Sequence, residues 1–239
     1  IVVLLRHGVE TESGKNHPQH FLSAMADVMF YNDPNDRKTL KDFKDYLVSK
    51  LTIERFAKYQ NGNLVNDFYT DINIDSQDIE PYKSSQLYSS TNEKSFRKLA
   101  RAFDNFKAFL IVNTTNIDHT YLWDFICDSE IHDVHPKGIN LIILDIPEDD
   151  GTTKVEIICP TNHYSSLVYN RDKPSVILIK RDDIYEPLYS LKKSSNSIVF
   201  SESEIVIVSS CNFSPARIPI NLNVASGAIA SATSVILYD

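Results

Sequence analysis

Glycine is scarce in this chain, and so are long apolar runs. Only 6 of the 239 residues are glycine, and neither glycine-rich phosphate-binding pattern, G-x-G-x-x-G or G-x-x-x-x-G-K-[ST], occurs. No apolar run approaches the roughly 18 residues that a membrane-spanning helix needs. We therefore expect neither a nucleotide-binding loop of these two kinds nor a segment that crosses a membrane.

Cysteine is scarce as well. The three cysteines, Cys127, Cys159 and Cys211, lie far apart in the sequence. An odd number of scattered cysteines does not make a disulfide framework in a chain of this length. We therefore expect free thiols and an intracellular protein in a reducing compartment.

Basic residues are fewer than acidic ones. The chain has 24 Lys and Arg against 32 Asp and Glu, a formal net charge of −8, so a nucleic-acid partner is not expected. Hydrophobic residues make up 42% and charged residues 23%, which is typical of a globular protein with a buried core. The chain begins with Ile1, inside an apolar run, so we expect it to be a fragment of a longer protein.

The spacing of apolar residues predicts helices first and strands later. Helices are predicted over 20–30, 92–110 and 119–127. Two further helices are predicted to begin after the N-cap residues Thr39 and Thr52. Runs rich in β-branched residues predict strands at 1–5, 139–146, 155–159, 175–180, 185–191 and 205–208. Residues 66–92 are polar and are predicted to be irregular. This order favours the α+β class, with a helical N-terminal half packed on a mixed or antiparallel sheet from the C-terminal half.

We divide the chain at its polar stretch Lys192-Lys-Ser-Ser-Asn-Ser197. An α+β domain is predicted over residues 1–191. Residues 192–239 are predicted to be a linker and a β-rich C-terminal segment, which either packs on the same sheet or forms a separate domain.

Arg6-His7-Gly8 directly follows the first predicted strand and resembles the start of the histidine phosphatases. In that family the His takes the phosphoryl group and the Arg binds its oxygens. The chemistry also needs a second His near the end of a later strand, but Ile205–Val208 is followed by Ser209-Ser210-Cys211. Arg6 and His7 therefore form an alternative site rather than the favoured one.

A second alternative is a zinc site. Thiolates and imidazoles are natural zinc ligands, and their spacing here matches no standard zinc finger. Two of the candidates, Cys127 and Cys159, also lie within apolar runs, as buried and inert cysteines do. We expect no metal and no cofactor, and retain as a weaker alternative the five residues Cys127, His132, His135, Cys159 and His163.

The favoured resemblance begins with the segment Gln19-His20-Phe21-Leu22-Ser23-Ala24-Met25-Ala26-Asp27. It resembles the nucleophile helix of the ovarian-tumour (OTU) class of papain-like cysteine proteases, in which Asn-Cys precedes an aromatic–aliphatic–x–Ala–aliphatic–Ala helix. A helix N-terminus lowers the pKa of the thiol. In this chain His20 stands where the class has its Cys.

The OTU class ends its catalytic core with a hairpin strand that carries His-Tyr-Glu-Pro. This chain has Ile184-Tyr185-Glu186-Pro187, so Ile184 stands where the class has its catalytic His. Trp123-Asp124, followed by Asn140–Leu144, is similar to the helix and strand that lie between the two motifs. The resemblance covers residues 1–190 and implies a papain-like fold whose catalytic dyad is degenerate. The same residues also fit an amphipathic core helix and an unrelated hairpin.

The loss of both dyad residues implies a pseudoenzyme. An imidazole at position 20 cannot replace a thiolate as acyl acceptor when Ile occupies the position of the base. Three further segments are similar to parts of large proteins of giant nucleocytoplasmic DNA viruses: residues 58–64, 118–124 and 159–164. That resemblance implies one module of a longer viral protein, in the host cytoplasm or the virion.

The sequence thus predicts a catalytically inactive OTU-like interaction or structural module with a protein partner. The alternative is a hydrolase. It would be either a histidine-phosphatase-like enzyme that uses Arg6-His7-Gly8, or a rewired cysteine isopeptidase that uses Cys127, Cys159 or Cys211.

Overall fold

The fold is described from a computed structural model. It describes residues 3–6, 18–30, 39–72, 74–133, 135–146, 154–158, 170, 172–192, 195–197, 199–200, 219–221 and 237–238. The chain divides into two compact units. We call Ile1–Lys38 together with Ile117–Asp239 the sheet unit, and Thr39–Asn116 the helical unit. The boundary predicted at residue 191 stays a prediction.

Seven α-helices lie within the described residues: α1 His20–Phe30, α2 Leu40–Lys50, α3 Ile53–Phe56, α4 Asn63–Phe68, α5 Gln86–Ser90, α6 Glu93–Ile111 and α7 His119–Cys127. The described strands are β1 Val3–Arg6, β2 Asn140–Asp145, β3 Lys154–Ile158, β4 Ser175–Arg181, β5 Ile184–Lys192, β6 Ser195–Ser197, β7 Val199–Phe200, β8 Pro219–Asn221 and β9 Leu237–Tyr238. Helices thus dominate the first half and strands the second, which confirms the predicted α+β class.

The sheet is mixed. Its strand order is β8-β3-β2-β4-β5-β1-β9, with β6 paired to β5 and β7 paired to β4. The central pair β2 and β4 is parallel, whereas β4 and β5 form the predicted antiparallel hairpin. The burial of both faces fits the near-continuous apolar sequence of β2 and of β4, because a central parallel strand is covered on both sides.

Helices α1 and α7 belong to the sheet unit. Helix α1 packs on β5 and α7 packs beside β2. Phe21, Leu22 and Met25 of α1 are fully buried, and so is Leu178 of β4. The core of this unit therefore lies between the sheet and these two helices.

The helical unit is built around the long helix α6. Its buried face carries Phe96, Phe103, Phe106 and Leu110 at helical spacing, as predicted. Thr39 caps α2, as predicted: its hydroxyl accepts the N–H of Asp42, and the Asp42 carboxylate accepts the N–H of Thr39.

Residues 66–92 are more regular than predicted. They contain the end of α4, two 3-10 turns at Ile74–Ser76 and Glu80–Tyr82, and helix α5. Side chains of α6 hold this segment: the carboxylate of Asp104 accepts hydrogen bonds from the amide of Gln77 at 2.9 Å and from the hydroxyl of Tyr82. Lys107 donates to the same hydroxyl at 2.6 Å.

No helix among the described residues combines the length and the apolar composition that crossing a bilayer requires.

Candidate functional site

The two positions of the expected dyad both belong to the sheet unit, and His20 contacts the residue that follows Ile184. His20 is the first residue of α1, and its Nδ1 accepts a hydrogen bond from the backbone N–H of Tyr185, with an N–N distance of 3.1 Å. Ile184 directly precedes Tyr185 in the first residues of β5. The degenerate positions His20 and Ile184 are therefore linked through Tyr185, although 165 residues separate the two hydrogen-bonded partners.

The hairpin explains why the N–H of Tyr185 is available. Arg181 and Ile184 flank the two-residue turn and form its hydrogen-bonded pair. The next pair, Lys180 and Tyr185, is therefore a non-hydrogen-bonded pair, in which the backbone N–H and C=O groups of each residue point away from the partner strand. The N–H of Tyr185 thus points to the side of β5 where β1 pairs. Described strand β1 ends at Arg6, opposite Leu188, and does not reach Tyr185. The imidazole of His20 supplies the acceptor that a neighbouring strand would otherwise supply.

The side chain of Tyr185 binds a second histidine. Its hydroxyl lies 2.8 Å from Nδ1 of His119, the first residue of α7. Asp118 caps that helix by accepting the N–H of Thr120, which fixes His119 at the start of the helix. Tyr185 therefore joins strand β5 to the N-termini of two different helices.

Aromatic rings close the site. The ring of Phe21 packs edge-on against Tyr185, with a centroid distance of 5.2 Å, and lies 6.3 Å from the ring of His119. The ring of Trp123 lies 5.9 Å from His119 on the same helix. His20 and Tyr185 are each 2% exposed, so this is a packed core and not the floor of an open cleft.

Burial sets the protonation of the cluster. It lowers the pKa of His119, with a partly compensating effect from the carboxylate of Asp118, and Lys180 adds to the lowering. Burial also raises the pKa of Tyr185. His119 and Tyr185 are therefore neutral at neutral pH, because burial disfavours a charge on either ring.

Three of the five candidate zinc ligands lie in described parts of the chain. Cys127 is a half-buried free thiol at the end of α7. His132 is buried, and its Nε2 donates to the carbonyl oxygen of Ile126 at 2.7 Å. The ring of His135 lies 6.1 Å from that of His132. Cys159 and His163 fall outside the described residues.

A metal-binding group is not present in the described part of the chain, where no three His, Cys, Asp or Glu side chains come together as ligands would. Burial raises the pKa of the Cys127 thiol to about 12, which is the opposite of the shift that a nucleophile or a metal ligand needs. The candidate Cys211 lies outside the described residues.

The phosphatase alternative falls largely outside the described structure. The backbone of Arg6 belongs to β1, opposite Leu188. His7, Gly8 and the predicted strand 205–208 lie outside the described residues. Arg6 and His7 therefore stay an untested alternative.

The sequence reasoning did not single out His119 or Tyr185 as members of the site. A local signal for His119 was present, because Asp118 is a typical N-cap residue before an apolar helix. The cap places His119 at the first position of α7, the same position that His20 has in α1. The pairing of both rings with Tyr185 has no local signal. No protein-family model, curated protein or solved structure matches this chain.

Proposed function

We propose that the chain is a catalytically inactive OTU-like module of a larger viral protein, with an interaction or structural role. The observation that carries the proposal is the hydrogen bond from the Tyr185 N–H to Nδ1 of His20. A nucleophile and its base must lie within hydrogen-bond reach of each other. His20 is within hydrogen-bond reach of the backbone of Tyr185, the residue that follows Ile184, and this supports the proposal although neither dyad position has the required chemistry.

Three features of the site argue against catalysis there. Ile184 has no group that takes up a proton. The Nδ1 lone pair of His20 is already occupied by the N–H of Tyr185. The imidazole of His20 is 2% exposed, so a substrate carbonyl has no access to it without rearrangement of the core.

The proposal is tested by rebuilding the dyad. We expect His20→Cys combined with Ile184→His to give a thiol at the N-terminus of α1 with a paired imidazole and a lowered pKa. Its alkylation rate near neutral pH should exceed that of His20→Cys alone by about tenfold or more. Ser23→Cys combined with Ile184→His is the matched control, because it places a thiol three residues further along the same helix, where the backbone N–H is already bonded to the carbonyl oxygen of Gln19.

Equal thiol reactivity of the single and double variants would contradict the shared position of residues 20 and 184. The absence of catalysis is tested separately on the unmodified chain with ubiquitin-chain and peptide substrates. We expect no turnover. Turnover that a single substitution abolishes would overturn the inactive assignment and favour the hydrolase alternative.

A further inference from the structure

Tyr185 makes two polar contacts that differ in kind. Its backbone N–H donates to Nδ1 of His20, and its hydroxyl lies 2.8 Å from Nδ1 of His119. The first bond can form only while Nδ1 of His20 has no proton, because a protonated imidazole carries a donor on both nitrogens. The neutral ring of His20 must therefore have its proton on Nε2.

Both rings lie where a positive charge is disfavoured. His20 and His119 are each the first residue of an α-helix, where the helix dipole is positive. His20 is buried, and the edge of His119 is packed against Phe21 and Trp123. Protonation of His20 therefore removes the acceptor of the Tyr185 N–H. Protonation of His119 opposes its buried surroundings, whereas the Tyr185 hydroxyl can accept from the protonated ring.

The charged groups that act on His119 and Tyr185 come from the start of α7, from β2, from β4 and from the turn between β4 and β5. Asp118 on the N-terminal side of α7, Asp145 of β2 and Lys180 of β4 act on His119. Asp118, Asp145 and Asp183, in the turn between β4 and β5, act on Tyr185. The Asp145 and Lys180 side chains face each other at 3.7 Å, so part of this charge is already compensated.

We propose that Tyr185 is a proton-sensitive clasp: it holds the N-termini of α1 and α7 on strand β5 at neutral pH and releases them when His20 and His119 are protonated. The structure thereby contains a conformational device that responds to acidification. The clasp is independent of the OTU-like proposal, since it depends only on the two imidazoles and the two polar groups of Tyr185.

The direction of the pH effect follows from burial. Burial lowers the pKa of His119 in the folded chain below the ordinary histidine value of about 6.5. Just below pH 6.5 the opened or unfolded chain therefore binds more protons than the folded chain. The clasp is therefore at full strength above about pH 6.5 and weakens as the pH falls through the lowered pKa.

Trp123 is a built-in reporter of this change. It is the only tryptophan of the chain, and its ring lies 5.9 Å from that of His119. The experiment follows Trp123 fluorescence and the hydrogen exchange of the Tyr185 amide between about pH 7.5 and 4.5, the range in which histidine titrates. Three variants are compared: His20→Asn, His119→Asn and the chain with both substitutions. Asn is chosen because its Oδ1 takes the place of Nδ1 and accepts a hydrogen bond but does not titrate.

For the unmodified chain we expect quenched Trp123 emission at acid pH, and Tyr185 amide opening that rises by about tenfold or more after correction for intrinsic exchange. The variant with Asn at both positions should lose this acid transition. His135→Asn is the control, because that ring packs on His132 and should leave the transition unchanged.

An acid transition that persists in the variant with Asn at both positions overturns the clasp. So does Tyr185 amide protection that stays constant over the whole pH range in the unmodified chain. If the doubly substituted chain does not fold, nitrogen NMR of the unmodified chain decides: a proton on Nδ1 of His20 at neutral pH overturns the proposal, and a proton on Nε2 together with a tenfold rise in opening supports it.

Discussion

Gly138 lies directly over the carbonyl group of Cys127. A Cβ atom on Gly138 would be 2.3 Å from the carbonyl oxygen of Cys127 and 3.0 Å from the backbone nitrogen of Ser129. Gly138 also has a φ of +80°, which side chains other than glycine rarely adopt. Both the space and the backbone angle therefore require glycine where the chain turns from the end of α7 toward β2.

We expect Gly138→Ala to lower the free energy of unfolding by at least about 2 kcal/mol, since it adds a steric clash to an unfavourable φ. Gly62→Ala is the matched control: Gly62 has a φ of +85°, but its Cβ would lie 3.6 Å from the nearest atom, an ordinary contact. That variant should lose only about 1 kcal/mol. Urea unfolding followed by circular dichroism measures both, and equal losses would exclude the clash.

His20 satisfies a backbone group that is buried with it. We expect His20→Leu to fill most of the ring volume but to leave the N–H of Tyr185 without its acceptor, at a cost of about 1–3 kcal/mol in the free energy of unfolding. His20→Asn should lose less, because its side-chain oxygen accepts from the same N–H. Hydrogen exchange of the Tyr185 amide compares the two, and equal protection in His20→Leu and the unmodified chain would argue against the bond.

Cys127 should be a slow thiol in the folded chain. Burial raises its pKa to about 12, so almost none of it is thiolate at neutral or mildly alkaline pH. At about pH 8 we expect alkylation of Cys127 to be about 10³-fold slower in the folded chain than in urea, where the pKa returns to about 8.5. Mass spectrometry of the labelled peptide measures the rate. Rapid labelling of the folded chain would revive Cys127 as a candidate nucleophile.

Asp104 should hold the segment before α5 on α6. Its carboxylate accepts from Gln77 and Tyr82 and lies 2.8 Å from the ammonium nitrogen of Lys107. We expect Asp104→Ala to cost about 1–2 kcal/mol and to increase hydrogen exchange over residues 74–90.

Asp71→Ala is the control for that substitution. Its carboxylate also accepts a hydrogen bond from a tyrosine, Tyr69, but the pair is exposed. Because exposed polar contacts contribute little to stability, we expect a loss of less than about 0.5 kcal/mol from Asp71→Ala. A similar effect of both substitutions would mean that the Asp104 network does not order the segment.

Local patterns in the sequence predict the elements of this fold well. The Thr39 cap, the apolar face of α6 and the hairpin of β4 and β5 were all predicted from residues close together in the chain, and the structure contains each of them. These features depend on interactions between near neighbours, so their physical cause is present in any short window of the sequence.

Residues 66–92 mark the limit of such patterns. Their polar composition predicts an irregular segment, whereas the structure contains short helical turns that the side chains of Asp104 and Arg97 hold in place. The stabilising partners lie on α6 and not within the segment. Composition alone therefore underestimates its order.

The candidate site divides in the same way. Positions 20 and 184 were predicted from two short motifs that resemble those of a cysteine-protease core. The start of a helix at His20 is likewise a local property of the chain. The burial of His20, its bond to Tyr185 and the arrival of His119 at the same tyrosine are long-range, since 165 and 66 residues separate the bonded pairs. No short window of sequence contains both members of such a pair, and only the packing of α1 and α7 against the sheet brings them together.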